Sequence, residues 1–472
     1  MSIIIPANSA VAGGYDVDNS VRLNIASSQT LVRTQGTATN LKKFVWSCWI
    51  KRSTLGAGQY IVYNYNSGTD QAFFYFRGTD DLRFFNRSGG ADTVWVSDTI
   101  LRDVSAWYHL LIKVDTTQGT DTNRLKIFIN GVQDTGNGIT YPGLNADMAL
   151  NTASASNRHS LASTGDGNNY VGGYLSEIVL IDGTSPDYTD FGEFDEDSGI
   201  WKPIDVSGLT FGNNGYYLDF KDSANLGNDV SGGTDFTETN IGAINQSQDT
   251  CTNNFATMNY LDNYYASSVF SNGNLSLVTN SSARTWNNST IGLTSGKYYC
   301  EMKSVGVGAG ALIGIIATSP NSTTNRADNN PYAWVYLNGG SMKNDGTSQS
   351  GTWASWANND LIGIALDLDN NKIYFSKNGT WQNTGTANPS TGTDGFAITA
   401  VSSLPATQAG CYFIVCSDDS TSNNATFDWN FGSPPFTISS GNADGNGYGN
   451  FEYAVPSGFF SICTKNLSEA LS

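Results

Sequence analysis

No stretch of this 472-residue chain keeps the 3.6-residue spacing of a long amphipathic helix. Its apolar residues come in short runs that mostly alternate with polar ones, and Gly, Asn, Ser and Thr crowd the gaps, so the elements able to bury a face are strands. VRLNIA, FVWSCWIK, QYIVYNYN, AFFYFR, LRFFNR, WYHLLIKV, RLKIFI and YLSEIVLI follow one another from about residue 20 to 183. LSLVTN, KYYCEMKSV, ALIGIIA, AWVYLN, LIGIALDL, KIYFSK, CYFIVCS and FDWNF restart the rhythm from about residue 266. The nearest approach to a helix is the end, KNLSEALS. The expected fold class is all-β.

One hairpin is written twice. KVDTTQGTDTNRLKIFINGVQ, from residue 113, and LDLDNNKIYFSKNGTWQ, from residue 366, each carry an apolar strand to an Asp, turn, and return as an alternating strand. They stop at Asn130-Gly131 and Asn378-Gly379, the dipeptide of tight hairpin turns. The chain is too long for one ordinary core, and two β sandwiches fit its length. The expected division is an N-terminal segment 1–19, a first sandwich 20–200, an ordered Gly/Asn/Asp-rich connector 201–265, a second sandwich 266–440 and a closing segment 441–472. SPDYTDFGEFDEDSGIWKP breaks the strand rhythm with Pro186, Pro203 and a run of acids, and GYYLDF is the best strand of the connector. FEYAVPSGFFSICTKNL is aromatic enough to dock.

The formal net charge is −18, spread along the chain. Phosphate backbones and anionic membrane surfaces repel such a chain, so neither nucleic acid nor membrane insertion is expected. MSIIIPANSA has no basic segment and Pro6 breaks its apolar run, so it does not read as a secretory signal, and no stretch is long and apolar enough to span a bilayer. Cys48, Cys251, Cys300, Cys411, Cys416 and Cys463 form no CxxC pair and read as free thiols of a reducing cytoplasm. With only His109 and His159 a zinc site is not expected.

Glu193, Asp195 and Asp197 in GEFDED alternate as the acids of laminarinase-type glucanases do. They follow the strand that should close the first sandwich, so they read as a solvated acidic connector, and no catalytic residue is assigned. NADGNGYGNFE, residues 442–452, places oxygen ligands at positions 1, 3 and 5 and Gly447 at 6, but Glu452 falls at 11 rather than 12, so it reads as a turn. No cofactor is expected and no metal ligands are assigned. His109, beside Trp107 and Tyr108, reads as a core-edge residue. Binding remains, and aromatic side chains supply apolar area with a polar handle. The candidates are Tyr332 and Trp334 in PYAWVYLNGG, Trp353 in the polar loop SGTWASWANND, and Tyr63 and Tyr65, which alternate with Asn64 and Asn66. Trp353 is expected to be exposed and Trp356 to be core.

WYHLLIKVD, the Asn-Gly hairpin and YVGGYLSEIVLIDG resemble the laminin-G-like, concanavalin A-like lectin sandwich. GKYYCEMK, ALIGIIA, NNDLIGIALDLDNNKIYFSKNG and NFGSPPF resemble a SPRY domain. Both families are similar two-sheet jelly rolls, which accounts for the repeated hairpin. Across nearly the whole length, SIIIPANSAVAGGYDVDNSVRLN, FGEFDEDSGIWKPI, GNNGYYLDFKDSANLGNDVSG, TNNFATMN and GYGNFEYAVPSGFFSICTKNL are similar to blocks of SPRY-containing virion proteins of tailed phages. That resemblance implies a non-enzymatic virion structural protein on the particle surface, assembled in the bacterial host cytoplasm. It implies a tail fibre or receptor-binding component, repeated as a homo-oligomer among other virion proteins, that contacts host surface glycan or protein. A head decoration or head-fibre protein is the alternative, followed by a glycan-degrading enzyme and a SPRY peptide-binding adaptor.

Overall fold

The computed structural model describes residues 14–264, 268–280, 284–308, 310–317, 327–420 and 423–469. Most of the expected N-terminal segment, with the MSIIIPANSA stretch, lies outside the described residues. The chain divides into two compact units between Thr252 and Asn253.

The first unit is a sandwich of two sheets. One runs, in spatial order, Val132–Asp134, Leu125–Ile129, Trp107–Asp115, Lys43–Arg52, Gly173–Asp182, Ser20–Leu23 and Gln246–Ser247, with Tyr216–Leu218 also paired to Gly173–Asp182. The other has seven strands in the order Thr237–Thr239, Thr30–Arg33, His159–Leu161, Gln59–Ser67, Asp70–Phe76, Asp81–Ser88 and Ala91–Ile100. Trp46, Phe74, Phe84, Trp95, Ile112 and Leu180 fill the space between them.

The second unit repeats the plan. Its seven-stranded sheet is ordered Met258–Tyr264, Thr285–Ser289, Phe413–Asp418, Ala311–Ile316, Ala333–Leu337, Ser341–Asn344 and Thr347–Ser348. The facing sheet is ordered Val269–Ser271, Ser276–Val278, Thr426–Asn430, Lys297–Gly306, Leu361–Asp367, Lys372–Lys377 and Thr380–Trp381, with Phe396–Ala397 and Phe460–Ser461 attached beside it. Ile313, Trp334, Tyr336, Ile364, Phe375 and Trp429 belong to its core.

The two Asn-Gly hairpins occupy the same kind of place in the two units. Asn130 and Gly131 have φ of 49° and 74°, and Asn378 and Gly379 have φ of 48° and 78°. Positive φ at both central residues is the turn whose twist matches that of its strands. Each glycine is also needed for room. A Cβ on Gly131 would come within 2.2 Å of the Trp201 ring, and one on Gly379 within 2.6 Å of Tyr453. In both units a returning segment seats an aromatic ring on the bare turn.

Residues 201–265, expected as a connector, contribute strands to both sandwiches. Tyr216–Leu218, Thr237–Thr239 and Gln246–Ser247 pair with Gly173–Asp182, Thr30–Arg33 and Ser20–Leu23, and Met258–Tyr264 joins the second unit. These strands are short and surrounded by turn residues, so their order comes from the partners they pair with. The GEFDED run exposes Glu193, Glu196 and Asp197 to solvent as expected, but it forms a hairpin rather than a loose connector. Gly192–Phe194 pairs with Trp201–Pro203 as a hairpin, and Glu193 forms an ion pair with Lys202 at 3.2 Å. Asp195 is buried and accepts from the Ser198 N–H and Oγ, both at 2.8 Å, which closes the turn and holds its carboxyl below the usual range.

The closing segment lies on the outer face of the second unit's larger sheet, where Phe451 and Phe459 pack against Tyr299, Ala365 and Tyr374. Glu301 anchors it. Its buried carboxylate accepts from the N–H groups of Glu452 (3.0 Å) and Tyr453 (2.8 Å), the Tyr299 hydroxyl (3.0 Å) and Asn430 Nδ2 (3.2 Å). In the NADGNGYGN turn, Asp444 accepts from the N–H groups of Asn446, Tyr448 and Ser461 and from Asn466 Nδ2. A helix, Thr464–Glu469, follows.

Candidate functional site

The seven-stranded sheet of the first unit turns aromatic side chains outward. In Asp70–Phe76 the alternation sends Ala72, Phe74 and Phe76 into the core and Phe73 and Tyr75 to the outer face. A bulge between Tyr60 and Val62 buries Ile61 and Val62 together and places both Tyr60 and Tyr63 outside. Cross-strand register then lines the side chains in rows: Tyr60, Tyr75, Arg83 and Val96; Tyr63, Phe73, Phe85 and Val94; Tyr65, Gln71, Arg87 and Asp92.

The rings touch as a continuous platform. Tyr60 stacks on Tyr75 with centroids 4.6 Å apart, Phe73 stacks on Phe85 at 4.8 Å, and Tyr63 lies parallel to Tyr65 at 6.3 Å. Tyr63 and Phe85 are 7 % and 9 % exposed and form the floor. Tyr60, Tyr65, Phe73 and Tyr75 are half-buried, so each keeps part of a ring in solvent. Burial pushes the Tyr60 hydroxyl up to about 12, which keeps it protonated as a hydrogen-bond donor. Arginines border the rings: Arg158 lies 4.6 Å from the Tyr65 centroid, and Arg87 and Arg83 lie 5.5 and 5.7 Å from that of Phe85. With strands about 4.8 Å apart, three ring-bearing strands span about 10 Å, enough for sugar rings laid side by side.

Two of the sequence candidates, Tyr63 and Tyr65, belong to this platform. Tyr60, Phe73, Tyr75, Phe85 and the arginines escape a sequence reading because AFFYF places aromatics on both faces of its strand. Their signal was the unbroken aromatic run itself, which exceeds what one core face uses.

The three candidates of the second unit are not brought together on an open surface. Trp334 is 4 % exposed and points into the core against Tyr412, 5.8 Å away, because Ala333–Leu337 is a central strand buried on both faces. Tyr332 packs at the edge of the same core. Trp353, expected to be exposed, is half-buried: its ring lies 5.5 Å from Tyr336 and 6.2 Å from Phe375, and its Nε1–H donates to the Ser350 carbonyl at 3.1 Å. Its loop folds back over the sandwich because the indole finds apolar surface there. Trp356 is buried.

A small cavity in the first unit places Ser47, His109 and Glu177 near one another. Trp201 Nε1–H donates to His109 Nδ1 at 3.1 Å, so the imidazole proton sits on Nε2 and is donated to Ser47 Oγ at 2.7 Å. In that tautomer His109 cannot take the serine proton, and burial lowers its pKa to about 3. Glu177, at φ 48° in a strand bulge, accepts from Tyr217 at 2.6 Å and from Tyr15 at 3.3 Å, and burial raises it to about 7. These groups hold one another. Among the described residues no group of three or more His, Cys, Asp or Glu is placed to hold a metal ion, all six cysteines are free, and no helix is long and apolar enough to cross a membrane.

Residues 26–184 match the family model of the concanavalin A-like lectin/glucanases superfamily in its laminin G form, and residues 297–417 match the SPRY domain. No curated protein matches the chain. Similar solved structures include the SPRY domain of human HERC1, with 19% identity over 36% of this chain and 96% of that one and a TM-score of 0.28. Domains LG4-5 of the mouse laminin alpha1 chain cover 90% of each chain at 9% identity and a TM-score of 0.29. The native heptameric SAP-like pentraxin from Limulus polyphemus has 13% identity over 37% of this chain and 80% of that one, with a TM-score of 0.28. The protein is all-β, a concanavalin A-like laminin G sandwich followed by a SPRY sandwich.

Proposed function

We propose that this chain is a non-enzymatic structural protein of a tailed-phage virion, displayed on the particle surface as a tail fibre or receptor-binding component that contacts host surface glycan. The aromatic platform of the first sandwich carries this reading. Half-exposed rings in register on a rigid sheet bind the apolar C–H faces of sugars at low entropic cost, because the sheet already holds them in place. The sequence blocks that resemble those of tailed-phage virion proteins support the particle, and the charge of −18 supports a position outside a DNA-filled interior. Assembly in the host cytoplasm beside other virion proteins, as a homo-oligomer, lets weak single sites act together. Trp353 keeps a partly exposed edge and is a secondary contact on the SPRY sandwich.

The test is adsorption. Particles carrying Tyr60→Ala and Tyr75→Ala together are expected to assemble normally and to adsorb to host cells at least ten-fold less well. Normal adsorption by particles lacking the whole protein would overturn the receptor-binding role and favour a head decoration or head-fibre protein.

A further inference from the structure

Among the described residues, the platform holds one arginine whose side chain makes no hydrogen bond or ion pair. Arg87 is bonded to Asp92 through Nε at 2.6 Å and Nη2 at 2.9 Å, and Arg158 pairs with Asp166 at 3.6 Å. Arg83 stands in the row at the other end of the platform, flanked across the strands by Tyr75 and Val96. Among the described residues its side chain has no hydrogen bond or ion pair. Its Nε is buried without a partner, and the guanidinium lies 5.7 Å from the centroid of the Phe85 ring. Arg158 also leaves its buried Nε unbonded but keeps an ion pair, whereas Arg83, half-buried in a chain with 24 basic and 42 acidic residues, keeps none. The acid that feels its charge is Asp92, whose carboxylate is already hydrogen-bonded to Arg87.

We infer that the platform selects acidic saccharides, with Arg83 as the residue that recognises the carboxylate of a uronic- or sialic-type sugar. This rests on the reading of the platform as a glycan site. Pyranose rings lie on Tyr60, Phe73, Tyr75 and Phe85, and a carboxylate at the ring edge meets the guanidinium fork, a planar acceptor matched to a planar donor pair. A neutral sugar would cover Arg83 and leave its donors unfilled, which costs affinity. A second copy of this chain, placing its own platform opposite, would bring two unpaired Arg83 groups together and is disfavoured.

The experiment uses the full chain and pairs of oligosaccharides that differ only at the carboxyl group. Oligouronates and sialylated oligosaccharides are each compared with the carboxyl-reduced counterpart by titration calorimetry. At least one acidic form is expected to bind about ten-fold more tightly than its reduced partner. Arg83→Gln should remove that difference while leaving the melting temperature unchanged, because the guanidinium holds no other group by a hydrogen bond. Arg83→Lys should restore part of the preference, since it returns charge without the fork. Equal binding of acidic and reduced forms, or an acidic preference that survives Arg83→Gln, would overturn the inference and leave the glycan reading standing. Failure of every saccharide, acidic and reduced, to bind would overturn both.

Discussion

The two seven-stranded sheets differ on their outer faces. In the first unit that face is aromatic and half-exposed, built from Tyr60, Tyr65, Phe73 and Tyr75 over a floor of Tyr63 and Phe85. In the second it is chiefly aliphatic and buried, with Leu312, Ile316, Val335 and Val415 forming a cluster with Trp286, Ala327 and Ala333. The larger sheets, by contrast, are treated alike: Phe191, Val206 and Trp201 lie over the first, and Phe451, Phe459 and Tyr453 over the second. The two jelly rolls together therefore spend three of their four outer faces on extra core. The remaining face is open and made of rings, which is the physical ground for calling it a site rather than a packing surface.

The comparison breaks most readily at Glu301. Replacing it by Ala strands two backbone N–H groups, a tyrosine hydroxyl and an asparagine amide, so Glu301→Ala is expected to destabilise the second unit by about 4 kcal/mol and to expose residues 441–463 to protease. Denaturant unfolding with mapped proteolysis measures both effects. An unchanged midpoint would mean that the closing segment is not anchored there.

Acid should separate the two units next. His109 and His159, the chain's two histidines, are both in the first unit, and burial holds both below the ordinary 6.5. Unfolding lets them take up protons near 6.5, so the unfolded state binds more protons and stability falls as pH drops below 6.5. At pH 5.5 the loss is about 1.4 kcal/mol for each imidazole, offset in part by Glu177, whose buried carboxyl, raised to about 7, takes up its proton over the same range. In the second unit burial pushes the carboxyls of Glu301 and Asp418 upward, and their contribution improves as pH falls. Calorimetry between pH 7 and 5 should show one transition moving down while the other holds. Parallel movement of both would contradict the assignment.

Matched truncations sharpen the contrast between the sheets. Leu312→Ala, on the buried outer face, is expected to cost about 3 kcal/mol. Trp353→Ala should cost about 1–2 kcal/mol, since the half-buried ring packs on Tyr336 and Phe375. Tyr75→Ala should cost about 1 kcal/mol or less, because its ring already faces solvent on one side. Thermal unfolding orders the three, and a Tyr75→Ala loss as large as that of Leu312→Ala would mean that the open face is core.

The parts of this architecture legible in the sequence are those fixed by local rules. The Asn-Gly turns, the alternation in RLKIFI and KIYFSK, and the burial of Trp356 depend on short-range geometry and side-chain period. Tyr216–Leu218 was legible in GYYLDF, but Thr237–Thr239 and Gln246–Ser247 were hidden because a strand of two or three residues among Gly, Asn and Asp owes its order to a distant partner. Glu301 hides inside KYYCEMK, where a charge in an apolar strand marks a contact whose other half lies about 150 residues away. The platform was only half visible: Tyr63 and Tyr65 alternate with polar residues, whereas Phe73 and Tyr75 sit among core phenylalanines, and period alone cannot say which ring faces out.

The most direct test of the open face is binding of the purified full chain to isolated host surface polysaccharide, compared with the Tyr60→Ala, Tyr75→Ala double variant and with Leu312→Ala at a temperature where all three are folded. The platform account predicts that the double variant loses binding by ten-fold or more while Leu312→Ala retains it. Undiminished binding by the double variant, or equal loss in both, would contradict it.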